Sequence, residues 1–151
     1  MKILALLCVL PTIIHADEIS GIPRVIDGDT VVIGSSHIRL SGIDAPELKQ
    51  ICTDGNFQYL CGLRSKYALK TKINEKLITC IYNSKDMYGR ELGVCYLNQE
   101  DLNKWMVSNG YAVHYYGEQY LIDEIWARSN KLGIWKGEFQ LPSEYRKHEK
   151  K

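Results

Sequence analysis

The apolar positions of this chain change their spacing several times, and each change marks an element. Ile3 to Leu10 is an unbroken apolar run between Met1-Lys2 and Pro11, and it is followed by Ile13-Ile14-His15-Ala16. A charged start, a short apolar stretch and a small residue predict a signal peptide over residues 1–16. The run is too short to span a bilayer as a helix. Residues 17 to about 47 read as strands. Thr30–Ile33 is β-branched at every position, Gly34-Ser35-Ser36 turns the chain, and His37–Leu40 returns. In the returning strand Arg39 lies between Ile38 and Leu40, so it projects from the face opposite the core. Cys61 to about Glu75 reads as a helix with Leu60, Leu63, Tyr67 and Thr71 near one face. Leu77–Tyr82 and Glu91–Leu97 predict a hairpin that turns around Asp86 to Gly89. Asn98 is expected to cap a helix whose apolar stripe is Leu102, Trp105 and Met106 and which stops at Gly110. A last helix over Glu118–Lys131 turns Leu121, Ile122, Ile125 and Trp126 inward, and Glu144–Lys151 is expected to be a frayed, charged tail.

Strands first, then a helix, a hairpin and two more helices predict an α+β fold: a five-stranded OB-type β-barrel with three α-helices. No linker, repeat or low-complexity tract divides residues 17–151, which are expected to form one domain with its core over about 22–137. The 151 residues are 45% apolar and 25% charged, ordinary values for a globular chain.

Charge narrows the function classes. The full chain has 19 Lys and Arg against 18 Asp and Glu. Loss of residues 1–16 removes Lys2 and no acid, which leaves a neutral balance. This excludes a strongly basic nucleic-acid coat, so any attraction for a polyanion has to be local. Cys8 leaves with the signal peptide, and Cys52, Cys61, Cys80 and Cys95 remain. An even number in an exported chain reads as two disulfides. Three connectivities are possible. If Asp86 opposes Gly89, Cys80 falls opposite Cys95, which favours Cys80–Cys95 with Cys52–Cys61. Zinc is the rival, but there is no CxxC pair and no matching histidine spacing.

Candidate chemistry concentrates between Val25 and Glu47, where Asp29, Arg39, Asp44 and Glu47 surround the first hairpin. A core has no use for such charges. Carboxylates at turns, Asp29 and Asp44, suit a hard cation, Ca²⁺ more readily than Mg²⁺. Pro46 holds Ala45 extended, which can offer the Ala45 carbonyl to the same ion and set Glu47 nearby. Arg39 and Arg90 are two planar forks for a phosphate. Taken singly, each Asp is more often a turn former or helix cap, and Tyr115 and Tyr116 are more often core or surface residues.

The ordered motifs Asp-Gly-Asp-Thr at 27–30, Ile-Arg-Leu at 38–40, Gly-Ile-Asp-Ala-Pro-Glu at 42–47, Tyr-Gly-Arg at 88–90 and Gly-Ile-Trp at 133–135 resemble the staphylococcal nuclease family. The resemblance runs from about Val25 to Trp135. It implies an OB-type barrel and a Ca²⁺-dependent phosphodiesterase, acting on DNA and RNA with low sequence specificity and leaving 3′-phosphates. It implies Asp29, Asp44 and the Ala45 carbonyl as Ca²⁺ ligands, Arg39 and Arg90 as phosphate binders, and Glu47 as the general base. Tyr88 and Tyr116 become candidate substrate contacts. The expected partner is single-stranded or locally opened nucleic acid. The protein is expected to be a secreted or periplasmic monomer, with no membrane insertion once the signal peptide is removed. Two departures stand out: Ala45 replaces a frequent threonine, and the loop between Asp29 and Arg39 is short. The alternative function is a catalytically inactive nucleic-acid-binding module on the same barrel.

Overall fold

A computed structural model describes residues 16–149; the expected signal peptide falls almost entirely outside them. The strands β1 (Asp17–Gly21), β2 (Arg24–Val25), β3 (Thr30–Ile33) and β4 (Ser36–Leu40) lead to the two-residue β5 (Ile43–Asp44). The hairpin β6 (Ile51–Asp54) and β7 (Phe57–Leu60) precedes α1 (Cys61–Ile73). Then come β8 (Ile78–Lys85), β9 (Glu91–Leu97), β10 (Glu100–Asp101) and α2 (Leu102–Ser108). The chain closes with β11 (Val113–His114), α3 (Leu121–Ser129), a 3-10 turn (Gly133–Lys136) and α4 (Pro142–Glu149). The main sheet has the order β1-β8-β9-β4-β3-β2, with β10 also on β9. It is a curled half-barrel of the OB type in an α+β fold, with four α-helices where three were expected.

The β3–β4 hairpin follows its alternation. Ile38 and Leu40 are buried in the main core with Val31, Leu69 and Met106, and Arg39 lies on the other face, paired with Thr30 across the strands. β4 then runs parallel to β9, with Arg39 beside Leu92. This parallel pair brings the first hairpin against the second. A smaller core, Cys52, Cys61, Val113 and Ile134, sits under the β6–β7 hairpin.

Both expected disulfides are present, Cys52–Cys61 and Cys80–Cys95. The turn that motivated the second is shifted. Lys85 pairs with Glu91 and the Asp86 amide donates to the Arg90 carbonyl, so Asp86 opposes Arg90 and not Gly89. A bulge between Tyr82 and Ser84 absorbs the extra residue and restores Cys80 opposite Cys95.

Four helical expectations are corrected. The buried residues of α1 are Cys61, Gly62, Ser65, Leu69 and Ile73, whereas Leu60 and Tyr67 are exposed. Small residues let the helix approach the backbone beneath it, and the bulkier stripe turns outward. Asn98 does not cap α2. It takes φ 58° in the turn joining β9 to β10, and Asp101 caps instead, accepting from the Lys104 amide at 2.9 Å. On α3, Ile122 is 73% and Trp126 59% exposed, with Leu121 and Ile125 also outside. The inward residues are Ala127 and Glu124, whose carboxylate accepts from the His114 amide at 2.7 Å and pairs with Arg128. A polar anchor thus orients this helix against its apolar stripe. The tail expected to fray is folded through Glu149 as α4.

Candidate active site

The loop between β2 and β3 places Asp27 and Asp29 at the mouth of the first hairpin. Asp27 accepts from the Asp29 amide at 3.0 Å. Burial, with the Asp29 charge beside it, pushes the Asp27 carboxyl up to about 6. Asp29 is buried and accepts from the Ala45 amide at 2.8 Å. Asp44 is fully buried where β5 pairs with β11. Arg39 bridges the two, with one guanidinium nitrogen on Asp29 and the other on Asp44 at 3.0 Å. Burial works against the Arg39 charge, but the two carboxylates outweigh it and hold the group above its ordinary range.

Glu47 lies on the turn after Pro46. Its amide donates to the Gln50 side chain at 3.2 Å. Gln50 is fully buried and ties three segments together: it also accepts from the Cys61 amide through its carbonyl and donates to the Gln140 carbonyl at 2.6 Å. Gly62 is required on the adjoining helix, because a Cβ there would overlap the Glu47 carbonyl.

Arg90 enters from the β8–β9 turn. Asp86 accepts from the Arg90 side chain at 2.7 Å and from the Tyr88 and Arg90 amides. The Arg90 guanidinium reaches the Thr30 hydroxyl at 3.4 Å and lies over the Tyr88 ring. Asp29, Arg39, Glu47 and Arg90 therefore line one cleft of about 750 Å³, with Met87, Tyr88, Tyr115 and Tyr116 around it. Tyr88 is largely exposed, and Tyr115 and Tyr116 are about half exposed. Asp44 underlies the cleft through Arg39.

Sequence reading missed two supports of this site, Gln50 and Asp86; Asp86 had a local signal in its turn position before Gly89-Arg90. It also missed Arg146, which has none. From α4, Arg146 donates to both oxygens of Asp44 at 2.9 Å and to Glu47 at 2.9 Å. Hydrogen bonding to Asp44, opposed by burial, raises the Arg146 guanidinium above its ordinary range.

Among the described residues no three His, Cys, Asp or Glu side chains converge into a ready-made metal cage. Two buried carboxylates bridged by one guanidinium, with the Ala45 backbone bonded to one of them, are hard oxygen donors of the kind Ca²⁺ accepts when water and phosphate complete its shell. The residues fit such an ion.

Several known proteins are similar to this chain over most of its length. An endonuclease of Escherichia coli O157:H7, not otherwise characterised, is 34% identical over 91% of this chain and 90% of its own length. A Haemophilus influenzae endonuclease of the same description is 31% identical over 84% and 72%. The succinoglycan biosynthesis protein ExoI of Rhizobium meliloti is 35% identical over 82% and 68%. The pattern of staphylococcal nuclease homologues matches residues 37–137, from β4 through the 3-10 turn. With that match added to these relatives and to the OB-type sheet, the chain belongs to the staphylococcal nuclease homologues.

Proposed function

We propose that the protein is a Ca²⁺-dependent nuclease that hydrolyses phosphodiester bonds of DNA and RNA with low sequence specificity and leaves 3′-phosphates. The observation that carries this reading is the convergence of Arg39, Arg90 and Glu47 on one cleft over buried Asp29 and Asp44. Asp29, Asp44 and the Ala45 carbonyl would hold the ion. When bound, it supplies positive charge against a phosphoryl oxygen. Arg39 and Arg90 bind the scissile phosphate and offset the negative charge that builds on its equatorial oxygens. Glu47 takes a proton from water as the water oxygen attacks phosphorus. The bond from phosphorus to the 5′ oxygen breaks, and that oxygen takes a proton from solvent and leaves as a hydroxyl. Tyr88 and Tyr116 offer exposed ring faces on which bases can stack. Two disulfides fit an oxidising compartment, so the protein is assigned to a periplasm or the extracellular space. No described helix is long and apolar enough to cross a membrane.

One observation favours the inactive binding module: Arg146 holds both Asp44 and Glu47. Cleavage of single-stranded DNA by oxidised protein, with Ca²⁺ and with chelator, separates the readings. The expected result is Ca²⁺-dependent cleavage with 3′-phosphate ends. Glu47→Gln should lower kcat by roughly a hundredfold or more, with an unchanged circular dichroism spectrum. Oligonucleotide binding without cleavage in Ca²⁺ overturns the nuclease reading and leaves the binding module.

A further inference from the structure

We propose that α4 is a latch on the active site: Arg146 occupies the carboxylate oxygens of Asp44 and Glu47, so that binding of a divalent cation and release of α4 drive one another. The inference rests on the nuclease reading above.

Competition for the same atoms is the first ground. Asp44 has two oxygens, and both are taken: one accepts from Arg39 and Arg146, the other from Arg146 alone. One Glu47 carboxylate oxygen accepts from an Arg146 nitrogen that also donates to Asp44. A divalent cation coming to Asp44 would meet a guanidinium already on its ligand, positive charge against positive charge. Arg39 also sits on Asp29 and Asp44, but it belongs to a strand of the core sheet and cannot leave with a terminal helix, whereas Arg146 can.

The way α4 is fastened is the second ground. Pro142 is its only buried residue. The segment is otherwise tied by the Gln50 donation to the Gln140 carbonyl at 2.6 Å, to which His148 is linked through the Gln140 side chain. Lys147–Glu144 and Tyr145–Glu149 are bonds within the helix and fasten it to nothing. Arg146 therefore supplies most of the polar hold between α4 and the barrel. Its side chain is 35% exposed, so the guanidinium has a path to water. Elements with little buried apolar surface are the ones that open locally at low cost.

Coupling of this kind is reciprocal. Removing the guanidinium should tighten Ca²⁺ binding, and adding Ca²⁺ should loosen α4. Two measurements on the full oxidised protein, without nucleic acid, test both directions. Calorimetric titration with Ca²⁺ should give an affinity about fivefold or more higher for Arg146→Gln than for the unaltered protein. Hydrogen exchange of the unaltered protein should show amides of residues 143–149 exchanging faster in Ca²⁺ than in chelator, with the β3–β4 amides unchanged. Equal or weaker Ca²⁺ affinity in Arg146→Gln overturns the latch, as does an α4 whose exchange ignores Ca²⁺; either result leaves the nuclease reading standing. If neither protein binds Ca²⁺, the metal reading itself falls and the latch falls with it.

Discussion

Asp86 commits both carboxylate oxygens to aiming Arg90, one to the Arg90 side chain and the other to the Tyr88 and Arg90 amides. Burial alone would raise this carboxyl. The bonds from Arg90 outweigh that and hold it below the usual carboxylate range. A carboxyl lowered on folding contributes stability above its unfolded value, and the contribution is lost only as pH falls through the folded value. The anchor is therefore intact at neutral pH and fails in acid, below 3.8. With Asp86→Ala, Arg90 keeps its charge but loses its aim. The rate of DNA cleavage should fall by up to about a hundredfold, while thermal unfolding shifts by less than about 1 kcal/mol, as befits a pair near the surface. Ala45 makes the opposite point. It has no side-chain polar atom to offer, yet its amide fixes Asp29, so the position works through its backbone.

At the scale of elements, the fit of α1 against the Glu47 turn decides whether the candidate base is in place. Alanine is intrinsically the better helix former by up to about 1 kcal/mol, but at position 62 its Cβ would overlap the Glu47 carbonyl. Gly62→Ala should therefore destabilise the protein by about 1–3 kcal/mol in urea unfolding and lower kcat through displacement of Glu47. Fold and site were legible to different depths in the sequence. The β3–β4 hairpin was legible because a strand of period two puts Arg39 and its neighbours on opposite faces without outside help. The inward faces of α1 and α3 were not. Apolar spacing reports which side could be buried, whereas Gly62 and Ser65 on α1 and the Glu124 bond to His114 on α3 decide which side is. Arg146 was illegible for a related reason: a guanidinium in a charged tail looks solvated until the tail meets carboxylates about a hundred residues earlier.

For the whole molecule, two disulfides and the long-range strand pairing add links to the core. Cys80–Cys95 joins β8 to β9, away from the cleft, and closes a loop of 15 residues. Replacing both with alanine should cost about 3 kcal/mol in urea unfolding, with the activity of the folded fraction unchanged. The parallel pairing of β4 with β9 has a different kind of consequence. Parallel neighbours cannot be made by a tight hairpin, and here the β6–β7 hairpin and α1 lie between them in the chain. The β3–β4 hairpin, with Arg39, and the β8–β9 hairpin, with Arg90, can each zip up from local contacts. Joining them needs long-range pairing, which is intrinsically the slower kind of step. A nascent or half-refolded chain thus carries both guanidiniums, but on separate pieces that cannot grip one phosphate together. The proposed phosphate grip therefore exists only where β4 and β9 are paired.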